Sequence, residues 1–332
     1  SNNMMRGLCG PTFYTFCGIL LMHFHYTSGE MKYICQASFS DLYSIDRCTH
    51  VMGPTILQSE LQKSLTDMKV PTLEGDKYKN KSELLPVVFS GQGAESELYQ
   101  KLAASAKQKG VKGIMIEVKA LLNGSPDVYE NIVEKFLTQD LDVYIFTAED
   151  GIELKDFDKT LPGRLGAIVK NKQSIKLVVD LDLNMKKMKA LIGQNSTIEE
   201  QRSHWEKRIS KWTQKGFPAS NLIVSMRPYV FKYSSSDKDC DSKCRGYWDG
   251  LRSFCHASLK NKTFQKGSTN VLREIGCTKA NCYVMESNIY KAEKIKFLEA
   301  KGIGGIIFHG SMELPSNDLK KCCEDYIRPY FS

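Results

Sequence analysis

The sequence predicts an α/β protein, a (β/α)8 TIM barrel carrying a small disulfide-rich insertion between strands seven and eight. Three observations predict it. Eight short apolar, β-branched runs recur along the chain: MKYICQ (31–36), CTHVMG (48–53), LLPVVFS (84–90), VKGIMIEV (111–118), LDVYIFTA (141–148), IKLVVDLD (175–182), NLIVSMR (221–227) and IGGIIFH (303–309). Amphipathic stretches separate them. No glycine-rich turn follows the first run, as the rival architecture, an open doubly wound nucleotide-binding sheet, would show. Runs of nearly continuous apolar character suit strands covered on both faces. Eight of them alternating with helices over about 300 residues make one closed barrel.

The elements follow in chain order. Residues 1–29 read as a leader and secretory signal peptide: Met4 or Met5 as a start, Arg6, an apolar run, and small residues at Ser28 and Gly29, with cleavage expected before Glu30. Ser1-Asn2-Asn3 lie upstream of that start and read as translated leader. A membrane anchor is the competing reading. His23, His25 and the shortness of the apolar core oppose it, because spanning takes about 20 apolar residues. Residues 30–332 are expected as the barrel.

Within it, AESELYQKLAASAKQKG (94–110) is a helix by its 3.6-residue period. STIEEQRSHWEKRISKWTQKG (196–216) opens on Ser196 or Thr197 followed by acids and stops at Gly216 before Pro218. NIYKAEKIKFLEAKG (288–302) stops the same way at Gly302. Between about 233 and 283 no clear strand–helix unit is visible and five cysteines crowd together, which marks the insertion.

The 332 residues are 42% apolar and 25% charged, with a net charge of +8 from 46 basic and 38 acidic side chains. That balance allows weak attraction to acidic glycans, membranes or nucleic acid, but at this length it is usually just a soluble surface. No aromatic-plus-basic RNA module and no zinc-finger spacing occur, so neither nucleic acid nor membrane is expected as a partner.

Of eleven cysteines, Cys9 and Cys17 fall in the leader. In an oxidising compartment the other nine are disulfide partners first and metal ligands second. An odd number leaves one over, or pairing between chains. Adjacent Cys322 and Cys323 do not readily bond each other, so each reaches elsewhere or one stays unpaired. Cys240-x3-Cys244 and Cys277-x4-Cys282 have spacings that could hold zinc, but secretion favours disulfides. Sequons at Asn80, Asn123, Asn195 and Asn261 fit a secreted glycoprotein.

KYIC (32–35) followed by DRCTHVMG (46–53) resembles the opening of secreted glycoside hydrolase family 18 chitinases. GFPASNLIVSMRPYVF (216–231) is similar to their seventh strand, and YKAEKIKFLEAKGIGGIIFHGSMEL (290–314) to their last helix and strand. The ordered matches span nearly all of 31–314. The resemblance implies a disulfide between Cys35 and Cys48, and places GVKGIMIEVKA (110–120) where the catalytic fourth strand should lie.

That strand carries Asp-x-x-Asp-x-Asp-x-Glu in the family. The Glu protonates the leaving oxygen, and the Asp two residues before it orients the substrate's N-acetyl group, the internal nucleophile. A strand suits this because side chains two apart share a face, and barrel strands present them at the C-terminal mouth.

Laid on this chain, the pattern reads Lys112, Met115, Glu117, Lys119. Only Glu117 keeps a carboxylate, and the proton donor is a lysine. Loss of such an acid removes a factor of roughly 10²–10⁴. The resemblance further puts Leu181 where the family has a tyrosine, His309 where a tryptophan floors the sugar, and Gly91-Gln92-Gly93 in place of a Gly-Gly-Trp-like motif. Asp182 and, on strand seven, Tyr229 are kept.

Competing chemistries are weaker. Glu117 and Lys119 read as a same-face ion pair rather than a new acid–base couple. A desolvated Lys119 could form a Schiff base, but no carbonyl substrate is marked. Asp180, Asp182 and Glu117 could share a metal, but no histidine spacing supports one, so none is expected. His309 reads as a hydrogen-bonded histidine. MKKMK (185–189) could touch heparin-like glycans, although a charge run is usually a solvated face.

The expectation is a secreted pseudoenzyme without cofactor. It would bind a protein or glycan partner, through Glu117, Asp182, Tyr229 and His309 if at the mouth; the lost aromatic floors argue against tight chitin binding and put a protein partner slightly ahead. The rival is a weak or relocated hydrolase of N-acetylglucosamine-containing oligosaccharides, acting in carbohydrate metabolism.

Overall fold

The structure is a computed structural model. It describes residues 31–36, 47–57, 70–88, 96–117, 133–146, 174–181, 197–214, 216–226, 229–236, 246–260, 265–270, 272–308 and 317–331.

In chain order the strands are β1 (Lys32–Gln36), β2 (His50–Met52), β3 (Ile56–Leu57), β4 (Ser82–Val88), β5 (Gly113–Glu117), β6 (Asp142–Phe146), β7 (Ile175–Asp180), β8 (Leu222–Met226), β9 (Tyr229–Ser234), β10 (Gly246–Gly250), β11 (Gln265–Asn270), β12 (Arg273–Cys277), β13 (Asn281–Glu286) and β14 (Gly305–Phe308). The longer helices are α1 (Ser96–Gln108), α2 (Ile198–Thr213), α3 (Leu251–Lys260), α4 (Asn288–Ala300) and α5 (Asn317–Ile327).

Parallel pairing runs β1-β2-β4-β5-β6-β7-β8-β14 and returns from β14 to β1, closing an eight-stranded (β/α)8 barrel, with short β3 added beside the end of β4. Each of the eight predicted runs supplies one barrel strand. Pro86 sits in β4 without breaking it. Its missing N–H falls where residues 53–55 have left the ladder, after Met52 pairs Leu84 and before Ile56 pairs Val87.

Alternation along the strands separates two cores. Ile34, Met52, Leu84, Met115, Tyr144, Val178, Ile223 and Ile307, one from each barrel strand, fill the bore. The intervening residues, among them Cys35, Leu85, Ile114, Val143, Leu177, Val224 and Ile306, face the helices. The bore is therefore a packed interior.

At its N-terminal end it turns polar. Lys32 lies 3.7 Å from Asp142, and Lys176 Nζ donates to Asn221 Oδ1 at 3.1 Å. Burial, then Lys32, lowers the Lys176 pKa, and Asp142 partly restores it.

The Cys-Thr-His stretch opening β2 has a structural role at each residue. Cys48 is disulfide-bonded to Cys35, as the resemblance implied. The Thr49 hydroxyl accepts from the Tyr33 N–H at 3.0 Å and donates to the Tyr33 carbonyl at 3.1 Å. His50 Nδ1 lies 2.9 Å from that hydroxyl.

Helix α2 starts at Thr197 in a reciprocal capping box with Glu200 and buries Gln201, Trp205, Ile209 and Trp212 on one stripe. α4 is capped by Ser287, whose hydroxyl accepts from the Tyr290 N–H. It ends at Gly302, at φ 64°. Gly304 then lies so close to the turn that precedes β8 that a Cβ there would meet the Ser220 carbonyl oxygen at 2.1 Å.

The insertion departs from the sequence expectation. Residues 229–286 hold a five-stranded antiparallel sheet, ordered β10-β9-β13-β12-β11, together with α3. Strands such as QKGSTN and REIGC are short and polar, so backbone pairing rather than an apolar run defines them. Tyr229, expected on the seventh barrel strand, instead opens β9 opposite Gly250, because that barrel strand ends at Met226.

Cys277 and Cys282 form a disulfide there. Cys255, Cys322 and Cys323, expected as disulfide partners, are thiols. The Cys323 thiol donates to Cys255 Sγ at 3.0 Å across the packed pair α3 and α5. Hydrogen bonds with Cys322 and Cys323, then burial, raise the Cys255 pKa. No helix among the described residues is long and apolar enough to cross a membrane.

Candidate functional site

The C-terminal ends of the barrel strands define the candidate site. β5 is the fourth barrel strand, the place at which the resemblance puts the acid-bearing strand. Lys112 lies just before it, exposed, its N–H bonded to the Glu83 carbonyl. Met115 is buried in the bore. Glu117 closes the strand two residues later, its backbone in register with Phe146 of β6. Phe146 is half-buried and packs on the bore cluster, so the floor of the mouth at this point is aromatic.

One strand further round, beyond β6, β7 ends with Asp180 in register with Ser225 of β8. Val178 and Ile223, two residues earlier on each strand, both face the bore, so alternation turns Asp180 and Ser225 toward the mouth side by side. The Ser225 hydroxyl is buried and has no hydrogen-bond partner among the described residues; the Tyr144 hydroxyl in the bore is in the same condition. Burial, then Asp142, pushes the Tyr144 pKa upward, so this phenol stays neutral.

Leu181, one residue past Asp180, points the other way. It is buried in the helix-side core, and its carbonyl lies 3.1 Å from His204 Nε2. A side chain in that place supplies nothing to the mouth. Lys119, Asp182 and His309 lie outside the described residues, as do Gly91-Gln92-Gly93 and 185–189. Asn123, Asn195 and Asn261 do too, whereas Asn80 is exposed in a turn before β4.

Asp180 with Ser225 is the pair the run IKLVVDLD concealed. Two acids in a continuous apolar strand do not reveal which faces inward until register is known. Among the described residues, no group of three or more His, Cys, Asp or Glu is placed to hold a metal.

No protein-family model and no curated protein matches this sequence. Solved structures do match its fold. The Group IV chitinase of Ostrinia furnacalis in complex with allosamidin aligns with a TM-score of 0.57 over 91% of this chain and 100% of that one, at 11% identity. This chain has the chitinase fold. A mutant class V chitinase from Nicotiana tobaccum in complex with NAG4 aligns at 0.53 over 90% and 97%, with 11% identity. The chitinase-like agglutinin of Robinia pseudoacacia aligns at 0.51 over 90% and 98%, with 14% identity. The chitinase fold thus occurs in enzymes and in an agglutinin, and identity this low speaks for architecture alone.

Proposed function

We propose that this chitinase-fold chain is a secreted, non-catalytic protein that acts by binding a protein or glycan partner. The carrying observation is the residue two places past Glu117: the resemblance calls for a carboxylic acid there, and the chain has Lys119. The register of β5 supports it, since the fourth barrel strand runs through Met115 to Glu117 as the degenerate pattern requires. An ammonium is a poor general acid for a departing sugar oxygen, and an internal N-acetyl nucleophile still leaves that oxygen to be protonated by an acid.

Turnover of a labelled N-acetylglucosamine oligomer at high protein concentration tests this reading, and none is expected. The second reading, a weak hydrolase with a relocated acid, is favoured by one observation: Asp180 at the strand end beside Ser225. It predicts slow turnover that Asp180→Asn, Asp182→Asn or Glu117→Gln abolishes. Such a result overturns the non-catalytic reading. Retention on chitin or a glycan array, against capture of a protein insensitive to added sugar, separates glycan from protein partners.

A further inference from the structure

A groove of about 540 Å³ opens on the insertion, between α3 and strands β9 and β13 of the antiparallel sheet. Its wall on α3 carries Arg252, His256 and Lys260, four residues apart and therefore on one helix face. At a rise of about 1.5 Å per residue they are spaced by about 6 Å along the wall. Lys232 of β9 lines the opposite side, and no carboxylate is among the lining residues.

Among the described residues none of these four side chains is engaged in an ion pair. The acid Lys232 senses is Asp249, which lies two residues along β10 from Tyr247, the cross-strand partner of Lys232, and whose carboxylate accepts the Gly250 N–H. Positive charge converging on a concave surface raises the local concentration of anions.

The sheet adds flat apolar surface. Tyr247, Lys232 and Tyr283 lie in one cross-strand row of β10, β9 and β13. The Lys232 ammonium sits 5.5 Å and 5.7 Å from the two ring centroids. Tyr283 is buried at the groove floor, whereas Tyr247 is 57% exposed and stands next to Lys232 as an open ring. Asn281 contributes amide donors and acceptors to the lining.

We propose that this groove binds a sulfated glycan chain, independently of the barrel mouth. The helical ladder of cations suits anionic groups repeated along a chain of sugar rings. Tyr247 supplies a face on which one ring can stack, and the amide of Asn281 can hydrogen-bond hydroxyls. Single-stranded nucleic acid is the competing polyanion. It binds over successive aromatic platforms, whereas the one open ring among the described residues here, Tyr247, stands beside the groove next to Lys232.

The test is calorimetric titration of the full chain with a sulfated heparin oligosaccharide at about 150 mM salt, where long-range attraction is largely screened. Its desulfated counterpart and a single-stranded DNA of equal charge are titrated in parallel. Saturable binding of the sulfated sugar alone is expected. Arg252→Glu with Lys260→Glu should weaken it at least about tenfold, and Tyr247→Ala should weaken it without altering its salt dependence. Reversing two exposed lysines elsewhere, Lys109→Glu with Lys207→Glu, matches the change in net charge and should leave affinity nearly unchanged.

Equal weakening by the control pair, equal binding of the DNA, or no binding at that salt overturns the proposal. Because the readout is affinity at the insertion, it stands or falls apart from any result on oligosaccharide cleavage.

Discussion

At the scale of the residue, His50 shows how a motif that resembles a catalytic family's can have a structural meaning. It enters the bore beside Thr49, and burial, helped by Lys32, lowers its pKa from 6.5 to about 4. The ring is neutral in the fold and in the unfolded chain above 6.5. As pH falls from 6.5 through about 4 the unfolded chain takes up a proton that the fold refuses, so stability declines across that window. The loss is on the order of 2–3 kcal/mol. Urea unfolding between pH 7 and pH 4 should show this decline, and His50→Gln should flatten it. A variant with the same slope as the parent would assign the acid sensitivity to other groups.

Some of this detail was legible beforehand. Cys48-Thr49-His50 was recognisable as a unit. That Thr49 would bridge both polar groups of Tyr33 was not, because the partner is remote in sequence and its register depends on the barrel.

At the scale of the element, α4 is the instructive case. Its spacing and its stop at Gly302 announce a helix, yet two of its lysines are buried. Lys291 donates to the Tyr326 carbonyl at 2.7 Å. Lys294, with its side chain 1% exposed, bonds Glu286 at 2.8 Å and lies 4.8 Å from the Tyr290 ring centroid. Glu286 in turn accepts from the Tyr330 hydroxyl.

Removing one member of a buried pair leaves the other charge stranded. Lys294→Ala should therefore cost about 3–5 kcal/mol in chemical denaturation. Lys294→Met with Glu286→Leu should recover most of that loss, since two apolar side chains of similar size leave no charge behind. If the double variant is no more stable than Lys294→Ala, the pair is not what holds α4 in place. A lysine pattern by itself reads as a solvated face, and only the approach of β13 and the C-terminal turn changes that reading.

At the scale of the whole molecule, the barrel closes where β14 meets β1, and the end of the chain braces that seam. Phe331 stacks on Phe308 at 4.8 Å and on Tyr33 at 5.3 Å, and its carbonyl accepts from Arg47 at 2.7 Å. Tyr330 adds an edge contact with Phe308. Deleting residues 317–332 would uncover Phe308 and Tyr33 together, each aromatic burial being worth roughly 1.5–3 kcal/mol. The truncated chain should lose its cooperative thermal transition and bind a hydrophobic dye. A truncation that melts like the full chain would show the seam to be self-sufficient.

The count of barrel strands, the helix ends, the parting of an insertion and the lysine two places past Glu117 all follow from local order along the chain. Hydrophobic period, capping groups and residue identity are properties of neighbours in sequence. Folding alone decided that Asp180 turns to the mouth while Leu181 turns to the helices. It also brought Cys255 beside Cys323, and Lys232 across from Arg252, His256 and Lys260. Those arrangements depend on strand register and on the closure of distant segments upon one another, and a linear pattern of residues carries neither.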